Sequence, residues 1–492
     1  MKPRLSRVAW SGQLTALAAA SIVGNAQAFE LDTDNPDLSV RFDNTVKAST
    51  MYRLRDASPT LVNSFTSQGA PQALNFNAGD DNFRKPGFVS ERLDLLTELD
   101  VVYQKNIGFR LSGAAWSDAA YRGQTDAQDH VNGQTPFDEF PDGTKKLSGK
   151  KGELLDAFAF GSWRVGSDQR VSARIGRHAL QYGESVFFGD NGIARAQGPI
   201  DLLKLQSSPN AQFKEIIRPV PQVSAQMQLN SEMSLGAYYQ FGWEADRLAP
   251  AGSYFSTANV SWGSKQPEFV GIPSGPLANN YVLTPGGDKE PGNSGQFGMQ
   301  FKWRLNETDL GFYAARYHDK SGQLYSALNP TSPLSSQWFY VFPKGINAFG
   351  ISGSQSLGGV NLALEASTRS NQPLVNTNVV YFPNFQAQPD LATGKTAHVN
   401  LSMLATLQPN FLAREASFIG EIAWNRVLSK SDPNGLLDAG RTRDATALQF
   451  IFTPTYRQAL PGLDLSAPLG ARYAVAGVMP IPMLNTGLAD KG

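Results

Sequence analysis

The stretch Gln296-Phe297-Gly298-Met299-Gln300-Phe301-Lys302-Trp303-Arg304 places a large apolar residue at every second position, between polar or small ones. Successive side chains of a β-strand point to opposite faces, so the stretch predicts a strand with one apolar and one polar face. Residues 222–229 repeat the pattern, with apolar residues at positions 223, 225, 227 and 229. In a membrane barrel, the apolar positions of both stretches would face lipid.

Fifteen such strands are predicted along the chain, and their connections alternate in length. The strands span 38–54, 90–103, 107–117, 153–165, 169–182, 213–229, 232–246, 294–305, 308–319, 346–357, 360–369, 396–407, 416–427, 446–457 and 463–474. Links after even-numbered strands have two to eight residues, whereas those after odd-numbered strands are long and rich in Gly, Pro, Asn and Asp. Loops of that length are uncommon in compact soluble domains, but long loops opposite short turns are typical of outer-membrane barrels. The sequence therefore predicts a transmembrane antiparallel β-barrel.

Composition excludes several other classes of protein. The 43 acidic and 43 basic residues cancel, so nothing indicates nucleic acid as a partner, and the chain has no cysteine for disulfides. No stretch reaches 18 apolar residues, which excludes helical membrane spans. A soluble all-β enzyme remains as the alternative fold, and the loop lengths favour the barrel. Aromatic residues near strand ends would suit the interfacial girdles of a barrel: Tyr103, Trp116, Trp163, Trp243, Trp303, Tyr317 and Trp424.

Both ends of the chain carry signals of their own. Lys2, Arg4 and Arg7 precede a short apolar run at 14–23, and the small-x-small site Ala26-Gln27-Ala28 follows it. This order predicts a Sec signal peptide over residues 1–28, cleaved before Phe29, and an outer-membrane barrel over residues 29–492. Bacterial barrels close with an even number of strands. Because fifteen are visible, we expect C-terminal strands to be missing and the complete barrel to have 16 or more.

Several motifs, in this order, resemble an outer-membrane family of proteobacteria known as domain of unknown function 1302. They are Gly79-Asp80-Asp81-Asn82-Phe83, Arg174-Ile175-Gly176-Arg177, Tyr182-Gly183-Glu184-Ser185, Pro199-Ile200-Asp201-Leu202-Leu203-Lys204-Leu205, Lys214-Glu215 with Pro219-Val220-Pro221, Trp243-Glu244 with Arg247-Leu248, Gly252-Ser253-Tyr254-Phe255-Ser256, and Arg369-Ser370-Asn371-Gln372-Pro373-Leu374. His178 and Tyr182 depart from the family pattern, which has Gln and Trp there. The resemblance implies a protein of the outer membrane that handles hydrophobic compounds. It also implies a periplasmic lipid-binding-like partner and an inner-membrane exporter.

Catalytic and metal chemistry find little support in the sequence. An outer-membrane lipase would need a nucleophile beside a base, but the four histidines, at 130, 178, 318 and 398, are scattered and no Gly-x-Ser-x-Gly motif occurs. Asp32, Asp34 and Asp37, or Asp80, Asp81 and Asn82, could offer oxygen ligands to calcium, without the spacing of a calcium loop. We therefore expect no enzyme, no cofactor and no resident metal.

Loop 183–212 is the candidate functional segment. It mixes charges with an apolar set that would be unfavourable in water, so we expect it to fold into the lumen and narrow the channel. Arg174 and Arg177 of the preceding strand would pair with its acids, since rings of charge at a constriction set solute selectivity. The candidate constriction consists of Arg174, Arg177, Glu184, Asp190, Arg195, Asp201 and Lys204. A structural salt-bridge network that rigidifies the wall is the alternative reading.

The expected function is an outer-membrane channel or transport component for hydrophobic or amphipathic small molecules, in contact with outer-membrane lipid and lipopolysaccharide. A general diffusion porin is the second hypothesis, and a structural or adhesive barrel the third.

Overall fold

The computed structural model describes residues 17–23, 27–62, 78–127, 138–166, 169–207, 216–256, 268–272, 274–409, 413–460 and 463–482. Its strands are β1 Leu17–Val23, β2 Gln27–Leu31, β3 Leu38–Arg53, β4 Gly87–Tyr103, β5 Ile107–Asp118, β6 Lys150–Val165, β7 Gln169–His178, β8 Val220–Gln228, β9 Met233–Gln240, β10 Glu268–Ile272, β11 Asn279–Pro285, β12 Gln296–Leu305, β13 Thr308–Tyr317, β14 Gln323–Ala327, β15 Ser336–Val341, β16 Ile346–Leu357, β17 Val360–Pro373, β18 Val379–Tyr381, β19 Thr393–Leu407, β20 Glu415–Ser431, β21 Asp444–Leu460, β22 Leu463–Ser466 and β23 Leu469–Ala476.

The helices are short and lie between strands. They are α1 Pro59–Val62, α2 Ala78–Asn82, α3 Asp142–Thr144 and α4 Leu202–Ser207, with 3₁₀ turns at Ala119–Tyr121, Ile193–Ala196 and Pro333–Ser335 and a π turn at Lys145–Gly149. Among the described residues, no helix has the length and apolarity to cross a bilayer.

Eighteen of the strands form one antiparallel sheet. From β3 to β9 each strand pairs with the next, and the order continues through β12, β13, β16, β17, β19, β20 and β21. β1 and β2 both pair with β3 at one edge, and β22 and β23 both pair with β21 at the other. Each of the fifteen predicted strands has a counterpart in this sheet, which confirms the antiparallel all-β prediction. No pairing joins the two edges within the described ranges, so closure into a barrel stays a prediction.

Several strand bounds differ from the prediction. The predicted strand 213–229 begins only at Val220, and residues 213–215 lie outside the described part of the chain. The predicted strands 169–182 and 232–246 end earlier, at His178 and Gln240, because the chain there turns toward the polar face of the sheet. Part of the predicted signal peptide, residues 1–16 and 24–26, lies outside the described ranges, and its cleavage stays a prediction.

The two faces of the main sheet differ as the alternation predicts. On β12, Phe297 and Met299 are 46% and 54% exposed, whereas Gln296 and Gln300 are buried. Ile175, Phe349 and Ile351 continue the exposed apolar face on other strands. The sheet therefore hides its polar face and exposes its apolar one, the reverse of a soluble sandwich.

The predicted aromatic girdles are only partly consistent with these faces. Tyr103 and Trp163 are exposed beside the apolar face, as a girdle requires. Trp116, Trp243 and Tyr317 are buried instead, and their rings pack under Arg92, against Phe342 and under Lys320, respectively. Placing these three aromatics at the lipid interface was wrong. Trp116 and Tyr317 occupy polar-face positions of β5 and β13, and Trp243 lies in the loop beyond the end of β9.

A second sheet, which the sequence did not predict, is assembled from the long loops. Its five strands lie in the order β10-β11-β15-β14-β18, with parallel pairing at β11–β15 and β14–β18. Aromatic side chains fill both of its faces: Tyr281 and Trp338 on one, Tyr325, Phe339 and Tyr381 on the other. All five strands come from connections of the long class, so this sheet lies at the long-loop end of the main sheet.

Candidate functional site

Residues 183–205, here called the held segment, lie against the polar face of the main sheet. Their neighbours come from distant strands: Tyr238 on β9 and Tyr313 on β13, but also Glu365 on β17 and Glu421 on β20. One short segment can reach all four strands only if the sheet curves around it. Phe187 and Phe188 are fully buried there.

Glu421 holds the start of the segment through its backbone. Its Oε2 accepts hydrogen bonds from three successive N–H groups, those of Val186 (3.1 Å), Phe187 and Phe188 (2.9 Å). Its Oε1 accepts from Ser185 Oγ at 2.8 Å and from Asn400 Nδ2 at 2.7 Å. Five donors converge on one buried carboxylate, so both of its oxygens are satisfied without a cation.

Glu365 and Arg369, both on β17, hold the middle of the segment. Glu365 accepts from the Glu184 N–H at 2.8 Å and from the Ile193 N–H. Arg369 donates through one nitrogen to the carbonyls of Asp190, Asn191 and Gly192, at 2.8 to 3.0 Å. The wall thus supplies acceptors to free N–H groups and donors to free carbonyls, which a buried irregular backbone requires.

Glycines allow this close approach. A Cβ added at Gly183, whose φ is +90°, would lie 2.3 Å from a Glu365 carboxylate oxygen. A Cβ at Gly192 would lie 2.7 Å from the other oxygen of the same carboxylate. Any side chain at these two positions would displace Glu365 from the backbone it binds.

Apolar contacts supply the rest of the packing. Phe187 and Phe188 meet Ala423, Ala447 and Ile451, which line an apolar patch on the polar face of β20 and β21. The Tyr182 ring packs 5.5 Å from Tyr238, measured between centroids. Burying the two phenylalanines removes their apolar surface from water. This burial stabilises the folded structure by about 1.5–3 kcal/mol for each side chain.

Arg195 joins the end of the segment to two other long loops. Its guanidinium meets Asp246 through two bonds of 3.0 and 2.8 Å and Asp319 through a third of 2.8 Å. Burial alone lowers the pKa of Arg195, but these two carboxylates more than reverse the effect, so its pKa is raised. Beside it, burial and the Arg195 charge lower the pKa of Lys320 to about 7.

A second charge cluster follows at Asp201. The Asp201 carboxylate accepts from Arg247 at 2.6 Å, and Arg247 also binds Glu153 on β6. Asp201 additionally caps α4 by accepting from the Lys204 N–H at 2.9 Å. The held segment is therefore connected to β6 as well as to β17 and β20.

The seven predicted constriction residues do not form one ring. Glu184 pairs weakly with Lys302 at 3.7 Å, Asp190 is buried, and Lys204 is exposed. Arg195 and Asp201 enter the two clusters above. The expected pairing of Arg174 and Arg177 with acids of this loop is wrong: Arg177 binds Glu244, and Arg174 lies over the Phe158 ring. Arg177 cannot reach the acids of the held segment because it lies on the apolar face of β7, together with Ile175.

Sequence reasoning missed the wall residues that hold the segment, Glu365, Arg369 and Glu421. A signal was present, since each is a charged residue at an inward position of a long apolar strand. Most of their partners in the held segment are backbone groups, 172 to 235 residues earlier in the chain, and backbone groups leave no trace in the pattern of side chains.

The histidines and acidic clusters have structural partners. His178 lies 2.8 Å from Ser224 Oγ, but its other ring nitrogen faces the Gly176 carbonyl rather than a carboxylate. Asp80 and Asp81 pair with Arg53 and Arg84. Within the described ranges no three metal-ligating side chains group together. His130 lies outside those ranges.

Together, the fold and the site define an all-β protein whose large antiparallel sheet exposes an apolar face and holds a loop segment against its polar face. The chain belongs to the family described as "Protein of unknown function (DUF1302)", whose model matches residues 9–491. No curated protein matches the sequence.

Solved structures similar to this chain are outer-membrane proteins of low sequence identity. The outer membrane channel DcaP of Acinetobacter baumannii is 10% identical, with a TM-score of 0.37, over 90% of this chain and 94% of that one. OmpF of Salmonella typhi, in complex with daunomycin, is 7% identical at a TM-score of 0.37, over 90% and 92%. OmpT of Vibrio cholerae is 9% identical at 0.36, over 92% and 90%. At these TM-scores the function has to be argued from the residues of this chain.

Proposed function

We propose that this protein is an outer-membrane channel or transport component for hydrophobic or amphipathic small molecules, narrowed by the held segment. The observation that carries the proposal is the binding of residues 184–193 by Glu365, Arg369 and Glu421 on the polar face of the sheet. If the sheet closes in the membrane, that face lines the lumen, and the held segment lies across the path of a solute.

The exposed apolar face supports the outer-membrane location. Every backbone N–H and C=O must be paired in hydrocarbon, and an antiparallel sheet pairs them between strands. The signal-like residues 1–28 support export through Sec. Mass spectrometry of protein from the outer-membrane fraction should find Phe29 at the N-terminus, and retention of residues 1–28 there would contradict the export route.

Conductance tests the channel. In planar bilayers, deletion of residues 183–205 should raise single-channel conductance. On a denaturing gel, the unheated variant should still migrate as the folded barrel. Glu421→Gln should produce transient openings, because it weakens the hold without removing the segment. Glu98→Gln is the matched control. It removes the same charge from the polar face of the main sheet, but on β4, and no contact joins Glu98 to the held segment among the described residues. Unchanged conductance in the deletion would refute the narrowing role.

A general diffusion porin is the second candidate function. The charged side chains that stay partly accessible on the polar face, such as Asp94, Asp100 and Arg110, would suit hydrophilic solutes. A wild-type conductance that is already large and independent of the held segment would favour this candidate.

The partners are part of the proposal. Outer-membrane lipid and lipopolysaccharide would contact the apolar face, and a periplasmic lipid-binding-like protein would pass hydrophobic solutes between the channel and an inner-membrane exporter. The amount of the transported compound retained in cells should change by the same factor whether this protein or the exporter is deleted. Unequal changes in the two deletion strains would show that the two proteins do not act in one transport route.

A further inference from the structure

A cavity of about 320 Å³ opens on the polar face near the turn between β6 and β7. It lies at the end of β7 opposite to the one from which the held segment departs. Its wall combines aromatic and charged side chains: Asp100, Arg110, Phe158, Phe160, Ser172 and Arg174. Two aromatic rings here lie next to charged side chains, and a cavity that combines apolar and charged groups is typical of ligand sites.

Both rings lie beside glycines of the neighbouring strands. A Cβ added to Gly108 on β5 would come within 2.7 Å of the Phe160 ring. A Cβ added to Gly176 on β7 would come within 2.8 Å of the Phe158 backbone. The missing side chains leave the two rings, whose centroids are 6.1 Å apart, lying along the wall. An apolar surface inside a polar cavity results.

The two arginines of the cavity differ in their partners. Arg110 is neutralised by Asp100 through two bonds of 2.6 Å. The Arg174 guanidinium lies 5.5 Å from the Phe158 ring centroid and is exposed. No carboxylate pairs with Arg174 among the residues that the structure describes. The cavity therefore presents one uncompensated cation at the edge of an aromatic surface.

We propose that this cavity binds small molecules with a flat apolar body and one anionic group, such as aromatic carboxylates. The body would stack on Phe158 and Phe160, and the anion would meet the planar fork of Arg174, which matches carboxylate geometry. The inference rests on the proposed function and narrows it, since it names the chemical class of the transported solute and the cavity as its binding site.

Calorimetry with 2-naphthoate on the detergent-solubilised full chain tests the site. The wild type should bind 2-naphthoate more tightly than 2-naphthamide, which has the same rings without the charge. Arg174→Gln should weaken naphthoate binding about tenfold and naphthamide binding much less, because only the carboxylate forms an ion pair with the Arg174 guanidinium. Phe158→Leu should weaken the binding of both compounds.

Arg170→Gln is the matched control. Arg170 lies on the same strand and the same face and does not itself line the cavity; its side chain donates at 2.7 Å to Ser162 Oγ at the cavity rim. It should leave naphthoate affinity within about twofold. Equal losses in the two arginine variants would show general electrostatic attraction and overturn the site. Equal affinity for naphthoate and naphthamide, or no binding by the wild type, would overturn it as well.

Failure of this inference is distinguishable from failure of the proposed function. If deletion of residues 183–205 raises conductance and naphthoate does not bind, the channel stands and the anion site falls. If naphthoate binds through Arg174 and conductance does not change, the site stands and the narrowing role of the held segment falls.

Discussion

Replacement of Glu421 by Gln tests how the held segment is fastened. The amide retains one oxygen, which we expect to stay on the N–H groups of Val186, Phe187 and Phe188. Those three bonds then lose their charge. A hydrogen bond to a charged group contributes about 1.5–3 kcal/mol and a neutral one about 0.5–1.5 kcal/mol, so each bond loses about 1 kcal/mol. Since Glu421 is only 1% exposed, solvent screens little of this difference.

The sum is about 3 kcal/mol in the free energy of local opening, or about a 100-fold larger open population. Hydrogen–deuterium exchange of a peptide covering residues 185–189 measures that population. We expect its amides to exchange about 100-fold faster in Glu421→Gln, with peptides of β3 and β4 unchanged. Glu98→Gln should leave the rate as in the wild type. Exchange within threefold of the wild type in Glu421→Gln, or equal acceleration in both variants, would show that this carboxylate does not hold the segment.

Three further predictions concern stability, measured by urea unfolding in detergent or bilayers. Arg195→Met should cost about 3–5 kcal/mol, because Asp246 and Asp319 keep buried charges without their cation. Arg304→Met, which removes an exposed pair with Asp309, should leave the stability nearly unchanged, because solvent screens that pair. Equal losses of stability would show that burial of the Arg195 ion pairs makes no difference. Met299→Arg should cost roughly 2–4 kcal/mol on the lipid face, whereas Gln226→Arg should cost far less; similar costs would reverse the faces. Lys320→Met should stabilise the protein most at pH 7 and below, where the folded wild type buries Lys320 as a cation. The folded pKa of Lys320, about 7, lies below its unfolded value, so the unfolded chain binds more protons in between and wild-type stability rises with pH over that window. The advantage of the variant should therefore shrink toward pH 10, and a constant advantage would mean that Lys320 is not buried as a cation.

The main sheet was predictable because its determinants are local. Two-residue alternation places the strands within a few residues, and in β16 both ends agree with the prediction at 346 and 357. The second sheet was not predicted because its strands are short and several of them carry apolar residues at consecutive positions, which hides any alternation in the sequence. In Ser336–Val341 apolar residues are consecutive and lie within a loop rich in Pro, Ser and Asn.

The site was predictable in part. The apolar content of residues 183–205 correctly indicated that they need burial, whereas their charge partners could not be assigned from the sequence. Arg195 binds Asp246 and Asp319, which belong to two other long loops, and proximity in the chain favoured Arg177 instead. Pairings between loops depend on how the sheet curves, and strand periodicity carries no information about curvature.

The chain order of the held segment and its holders has a consequence for assembly. Residues 183–205 enter the structure with β7 and β8, whereas Glu365 and Glu421 arrive with β17 and β20. Until those late strands are in place, the N–H groups of residues 184, 186–188 and 193 lack their acceptors, and contacts so distant in the chain form slowly. If the held segment narrows a channel, as proposed, a partly assembled sheet has no means of keeping that channel narrow. On that proposal, a narrowed channel would mark completed assembly, and a chain stalled before β20 would leave a leak in the membrane that contains it.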